Sequence, residues 1–336
     1  MQKKLVAEKV ACPSYGALLS ILLQSKKSGL LVSSCLSLVL SVLTATSAGA
    51  AKNPGGGLSA SKIAGAEESQ GDVAISPIKI SNSRPKQGEV MEIVVLAKDM
   101  AREAGSEAPA LEFLKNKYKL FAFDTEDGPA YRALVTVPVV EKAGLQPLTV
   151  GGLSTRVIVT DAHYPVQRLS LPSSKNNFNM AIGEEEAVDK AKATVSVERH
   201  WSKNFNVPSK ARVSAGFGLR RIVNGKLLPD YFHSGLDYAG FQGSPIYACA
   251  PGTVILASTG VFKLHGNCVA LDHGQGVVSF YIHMQKLNVK LGQNVAAGQT
   301  IGAVGQTGRA NGPHLHFSIY CNKVASNPKQ WYSKAF

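Results

Sequence analysis

From Ile75 onward the chain is built of short apolar runs separated by turn clusters. Val90-Met91-Glu92-Ile93-Val94-Val95-Leu96, Tyr118-Lys119-Leu120-Phe121-Ala122-Phe123, Ala133-Leu134-Val135-Thr136-Val137 and Arg156-Val157-Ile158-Val159-Thr160 are rich in β-branched and aromatic residues. Glu126-Asp127-Gly128-Pro129 and Lys142-Ala143-Gly144 divide them. Runs of this length between turn residues read as strands, and their spacing predicts a β-sandwich-like accessory domain over about 75–165. Ala97 to Lys117 breaks the rhythm and leaves room for a helical insertion. Gly183 to Lys192 places three glutamates ahead of two lysines, the order that a helix dipole favours. It predicts a helix at about 183–200 within a connector spanning 166–204. From Pro208 the chain is dense in glycine and short apolar runs, with no long helical period. This predicts a second, Gly-rich all-β domain over about 205–332, so the expected fold class is mainly β.

The first fifty residues differ. Lys3, Lys4, Lys9, Lys26 and Lys27 precede an uncharged stretch from Ser28 to Ala51 whose apolar heart is Leu36–Leu43 and which ends in Ala48-Gly49-Ala50. A basic start, a short apolar core and a small-residue exit describe a secretory signal over 1–50, with cleavage after Ala50; a membrane anchor left uncleaved is the alternative. Residues 51–74, rich in Gly, Ser, Ala and Glu, read as a flexible linker. The expected location is therefore the periplasm or cell envelope.

The whole chain has 36 Lys and Arg against 23 Asp and Glu, a net charge of +13. Removal of the signal leaves 31 against 22, a balance of +9. In an exported chain that excess points to an anionic envelope polymer and away from nucleic acid. With 45% hydrophobic and 18% charged residues the composition excludes a disordered chain. Cys249, Cys268 and Cys321 remain after cleavage, with no Cys-x-x-Cys spacing to suggest a zinc ribbon or a redox pair. One disulfide with a free thiol and three free thiols are both open.

Six of the eight histidines lie between positions 233 and 316. They fall largely into His233-Ser234-Gly235-Leu236-Asp237, Ser279-Phe280-Tyr281-Ile282-His283 and Gly312-Pro313-His314-Leu315-His316-Phe317-Ser318-Ile319-Tyr320. Pro313 disfavours a helix. As a strand, the last piece sets His314, His316, Ser318 and Tyr320 on one face and Leu315, Phe317 and Ile319 on the other. In the second piece the same rule sets His283 with Tyr281, away from Phe280 and Ile282. His233 and Asp237 can converge if Gly235 bends the segment between them. Imidazole and carboxylate together suit Zn²⁺, whose catalytic sites keep three protein ligands and one open position. His233, Asp237 and one histidine of the last pair supply three ligands, and two imidazoles remain for proton transfer or oxyanion stabilisation. His163, His200 and His265 read as surface or satisfied core residues, and His273 as part of a Gly-flanked turn.

At these residues the sequence resembles the lysostaphin/LytM-type zinc endopeptidases of bacterial cell walls. Ser214-Ala215-Gly216-Phe217-Gly218, His233-Ser234-Gly235-Leu236-Asp237, Gly266-Asn267-Cys268-Val269 and Gly302-Ala303-Val304-Gly305 through His316 carry the likeness, over about 205–330. The resemblance implies metal ligands His233, Asp237 and His316, catalytic imidazoles His283 and His314, a Zn²⁺ cofactor, a peptidoglycan peptide substrate and no nucleic-acid partner. Ser318 stands where many members have an acid, which bears on substrate preference. Some relatives have lost ligands and act as silent binders or activators of other wall hydrolases; here the set is complete. Two histidines and one carboxylate also make the facial triad of non-haem Fe(II) oxygenases, but the usual His-x-Asp spacing is absent. An accessory domain and a helix ahead of a metal site are also placed to occlude it, an expectation that rests on architecture alone.

Overall fold

The alternating runs of the N-terminal half form eight strands: β1 (Ile78–Ile80), β2 (Val90–Leu96), β3 (Ala110–Phe113), β4 (Asn116–Lys119), β5 (Phe121–Thr125), β6 (Gly128–Thr136), β7 (Gly144–Val150) and β8 (Leu153–Val159). These belong to a computed structural model, which describes residues 76–100, 110–170 and 179–336. The expected signal and linker lie outside the described residues. The strands make two four-stranded antiparallel sheets, ordered β1-β2-β6-β5 and β4-β3-β7-β8. Met91, Ile93 and Val95 alternate inward on β2. They join Leu111, Phe113, Leu148, Val150, Val157 and Val159 in one buried core, as a two-sheet sandwich requires.

The described parts of the region expected to hold a helical insertion, 97–100 and 110–117, are not helical in the α sense. Ala97–Asp99 is a single 3₁₀ turn, and β3 and β4 form a hairpin. Its two-residue loop is Leu114-Lys115, with φ of 50° and 63°. Such loops usually announce themselves with Asn or Gly, and neither is present, so the hairpin carries no turn signal.

β9 (Val166–Leu169) leads to α1 (Glu184–Lys192). The helix ends well short of residue 200. Thr194-Val195-Ser196-Val197 follow, β-branched and hydroxyl residues that favour other conformations. The backbone there is taken up by the next domain instead: Gln275 N–H donates to Ser196 O and His200 N–H to His273 O.

The C-terminal region adds β10 (Arg212–Ala215), β11 (Arg220–Val223), β12 (Lys226–Phe232), β13 (Leu236–Ala239), β14 (Pro245–Tyr247), β15 (Gly252–Ser258), β16 (Asn267–Gly274), β17 (Val277–Leu287), β18 (Asn294–Val295), β19 (Thr300–Val304), β20 (Leu315–Cys321), β21 (Val324–Ser326) and α2 (Pro328–Ser333). Its main sheet runs β10-β13-β20-β17-β16-β15-β18, with β14-β19 attached to β17 and β21 to β20. β9 pairs in parallel with β11 beside the β11-β12 hairpin. The centre of the main sheet is covered on both faces. Val269, Leu271 and Tyr281 face the larger core. Ala270, Val278 and Phe280 pack under Val188 and Ala191 of α1.

The accessory sandwich is docked on this domain rather than tethered to it. Val90 N–H donates to Gln330 Oε1 and the Gln330 amide donates back to Val90 O, at 2.7 and 2.9 Å. Asn322 Nδ2 donates to Leu134 O at 2.9 Å, and Val90 and Leu134 enter the larger core. Cys249, Cys268 and Cys321 are all free and buried. Burial pushes their thiols up to about 11, 12 and 12.

Candidate metal centre

Three strands bring the sequence-predicted ligands together. β13 pairs with β20 so that Asp237 lies directly opposite His316, which puts both side chains on one face. That register needs close approach at Gly235, where a Cβ would collide with the Phe317 carbonyl. His233 sits one residue beyond β12. Its N–H donates to Leu219 O and its carbonyl accepts from Gly218 N–H, so both sides of its peptide are fixed.

His233 Nε2, His316 Nδ1 and Asp237 Oδ1 lie 2.8–3.0 Å from one another. His233 Nδ1 is 2.6 Å from Gly216 O. A carbonyl only accepts, so Nδ1 holds the proton and Nε2 turns a lone pair inward. His316 Nε2 is 2.7 Å from Ser318 Oγ, which turns its Nδ1 toward the same point. Electron-rich atoms so arranged are satisfied by a cation among them, and two imidazoles with a carboxylate are a zinc-type donor set. Among the described residues these three form the one group able to hold a metal ion. Although burial alone would raise the Asp237 carboxyl, hydrogen bonds to His233 and His316 hold it well below the carboxylate range. Burial lowers His316 to about 4 against the opposing pull of Asp237.

His283 reaches the site by a different route from the expected one. Tyr281 pairs with Phe317 and Ile282 with His316. Tyr281 therefore faces the core, where its hydroxyl accepts from Cys249 N–H, and Ile282 faces the cleft. Strict alternation would send His283 into the core after Tyr281. A bulge intervenes: Ile282 and His283 together oppose Cys268, and His283 has φ of +64°. A bulge of this kind re-aims a side chain, and it is Met284 that enters the core. His283 Nδ1 faces Thr307 O at 2.9 Å and His314 Nδ1 faces Gly312 O at 2.8 Å. Each imidazole is thus tethered by Nδ1 with Nε2 left for the cleft, and the ring centroids lie 4.8 Å apart. Burial first, then the neighbouring His314 and His316, lowers His283 to about 3.

All five residues line one open cleft of about 510 Å³. Arg221, Tyr231, Arg309 and Lys192 bring polar and basic groups to its rim, and Arg221 Nη2 stands 4.0 Å from Asp237 Oδ2. No residue of β1–β8 lines it. His265, a satisfied residue through its 2.8 Å contact from Nδ1 to Glu184 Oε1, also lines it, and α1 contributes Lys192. His163 is exposed, whereas His273 is fully buried.

Residues 231–328 match the model of Peptidase family M23. Over 120 residues the chain is 40% identical to the peptidoglycan DD-endopeptidase ShyC of Vibrio cholerae serotype O1, covering 35% of this chain and 27% of that protein. Over 117 residues it is 38% identical to the DD-carboxypeptidase/endopeptidase Mpg of Neisseria meningitidis serogroup B, covering 35% and 26%. The chain thus spans about a quarter of the length of these curated relatives. A crystal structure of a peptidase M23 from Pseudomonas aeruginosa superposes with a TM-score of 0.54 at 27% identity. That match covers 75% of this chain and 96% of the other, so the likeness takes in the accessory sandwich as well as the cleft domain.

Proposed function

We propose, from the premise that the C-terminal domain of this chain is a Peptidase family M23 domain, that the protein is an exported zinc endopeptidase hydrolysing peptide cross-links of bacterial peptidoglycan. The observation that carries this reading is the convergence of His233 Nε2, His316 Nδ1 and Asp237 Oδ1 beside two further imidazoles in one open cleft. The ion, when bound, supplies Lewis acidity at the scissile carbonyl and acidifies water. His233 and His316 are oriented for it by Gly216 O and Ser318 Oγ. Asp237 supplies the negative charge.

His283 and His314 divide the proton transfers. Burial keeps His283 neutral at neutral pH, and its Nδ1–H is committed to Thr307 O, so its Nε2 is a proton acceptor. His314, tethered at Gly312 O, stands across the same space with Nε2 3.9 Å from Asp237 Oδ1. Together they can take a proton at one stage and return it to the departing amine at another. The basic balance of the mature chain favours adsorption to an anionic wall, an attraction that added salt weakens.

The test is mass spectrometry of fragments released from defined peptidoglycan by the mature chain, with metal content measured beside it. Release of cross-link peptides by the native protein and not by His316→Ala is expected. Bound metal with no released peptide would reject the enzymatic reading in favour of a silent wall-binding or activating protein.

A further inference from the structure

One wall of the cleft is held by a residue that lies outside the matched family segment. Glu184, the first residue of α1, is completely buried. Five N–H groups point at its carboxylate. Ala181 and Lys263 N–H reach Oε2 at 2.7 and 2.8 Å. Leu264 N–H, His265 N–H and His265 Nδ1 reach Oε1 at 3.0, 2.9 and 2.8 Å. Three successive backbone amides of loop 263–265 thus form a nest closed around one anion. Although burial alone would raise this carboxyl, the hydrogen bonds from Ala181 and His265 and the rest bring it to about 2.

The loop in turn holds His283. His265 O accepts His283 N–H at 3.0 Å, and Leu264 O accepts Arg309 N–H at 3.0 Å. The left-handed backbone of His283 is unfavourable for a residue with a Cβ, and such conformations persist only where neighbours enforce them. Enforcement comes from the His265 carbonyl on one side and, on the other, from Thr307. Thr307 O meets the imidazole, and Thr307 Oγ1 bonds Met284 O and Asn267 N–H. Glu184 stands one link behind the first of these holds.

We infer that Glu184 is a positioning residue for His283: its carboxylate fixes loop 263–265, and the loop fixes the bulge that aims the imidazole into the cleft. This rests on the hydrolase reading of the cleft. It makes the connector helix a working part of the site.

The experiment compares Glu184→Gln, Glu184→Ala and Glu184→Asp in the full mature chain. Val188→Ala is the control; it loosens the same helix from the sheet and leaves the Glu184 carboxylate in place. Two readouts are taken: kcat and KM on peptidoglycan with metal restored, and amide hydrogen exchange of 263–266 and 283 in the metal-free protein. Glu184→Ala should lower kcat by roughly tenfold to a hundredfold, the range seen when a residue that orients a site group from one step behind is lost. KM and metal content should stay near native, and exchange at 263–266 and 283 should rise at least tenfold. Glu184→Asp should recover part of both effects. If Glu184→Ala does not fold, Glu184→Gln decides, since it keeps the volume and loses one acceptor oxygen. Native kcat and native exchange in a folded Glu184 variant would overturn the inference. So would equal kcat losses in Val188→Ala at equal loss of stability. Native protein that releases no peptide would sink the hydrolase reading alone, and the exchange data would still decide whether Glu184 holds the loop.

Discussion

The accessory sandwich and the cleft domain are both built from short antiparallel strands, and they bury different things. Among the described residues, the sandwich region hides two polar side chains, Gln87 and Thr136. From Glu184 onward twelve are buried, four of them histidines. The sandwich core is Val, Leu, Ile, Met and Phe meeting across two sheets, which is enough to hold strands together. Burying imidazoles and a carboxylate is unfavourable unless each polar atom meets a partner, so the cleft domain must specify its contacts atom by atom. The comparison also separates two kinds of tethered histidine. His273 has both nitrogens engaged inside the fold, by Pro251 O and Ser279 Oγ, and it lines no cleft. His283 and His314 are tethered by one nitrogen and keep the other for the cleft.

The largest effect expected from this contrast is at the shared oxygen of the metal site. Asp237→Ala should abolish stoichiometric metal binding and lower peptide release by roughly a thousandfold or more, with the circular dichroism of the native sheet kept. His314→Ala should keep the metal and lose about 10²- to 10⁴-fold. Retained activity in either variant would remove that residue from the reaction. Next comes the sandwich. Phe113→Ala, at the centre of the apolar core, should reduce unfolding free energy in urea by about 3–5 kcal/mol and leave kcat unchanged. A parallel fall in kcat would mean that the two regions are not separable in function.

The smallest effect is the pH response of His273. Burial lowers it to about 4, while the unfolded chain titrates near 6.5. The unfolded state therefore takes up the proton first. The stability linked to His273 is complete above about pH 6.5 and is lost as pH falls toward 4, a change of about 3 kcal/mol. Glu184 acts in a lower window, its contribution present above about 4.5 and lost toward 2. In His273→Gln the loss between pH 6.5 and 4 should shrink relative to the native chain. An unchanged slope of stability against pH would assign that loss to other groups.

Much of this organisation is legible in the order of the residues. Period-two alternation locates the sandwich strands, and the two-residue spacing of His314 and His316 locates the metal strand, because β geometry maps such spacings onto one face. What stays hidden is whatever depends on partners remote in sequence or on single backbone angles. Glu184 reads as one of three acids at a helix start; its importance lies in amides some eighty residues later. Alternation would turn His283 into the core beside Tyr281; the chain breaks alternation there, and a left-handed residue corrects the phase and brings the imidazole to the cleft. The β3-β4 hairpin is concealed because Leu114 and Lys115 adopt angles usually left to Asn and Gly. The charge pattern overextends the helix because it does not weigh the β-branched and hydroxyl residues after Lys192, whose backbone is claimed by β16 and the turn that follows it.

The sulfur atoms of the three described cysteines, Cys249, Cys268 and Cys321, have a practical consequence. Each lies sealed in packed interior with its proton held tightly, so none is presented as a thiolate for exchange. The cleft domain can fold identically in oxidising or reducing surroundings, without an oxidase to pair these three cysteines or an isomerase to correct them. Alkylating reagents that stay outside the native fold should leave these three thiols unmarked until the domain unfolds.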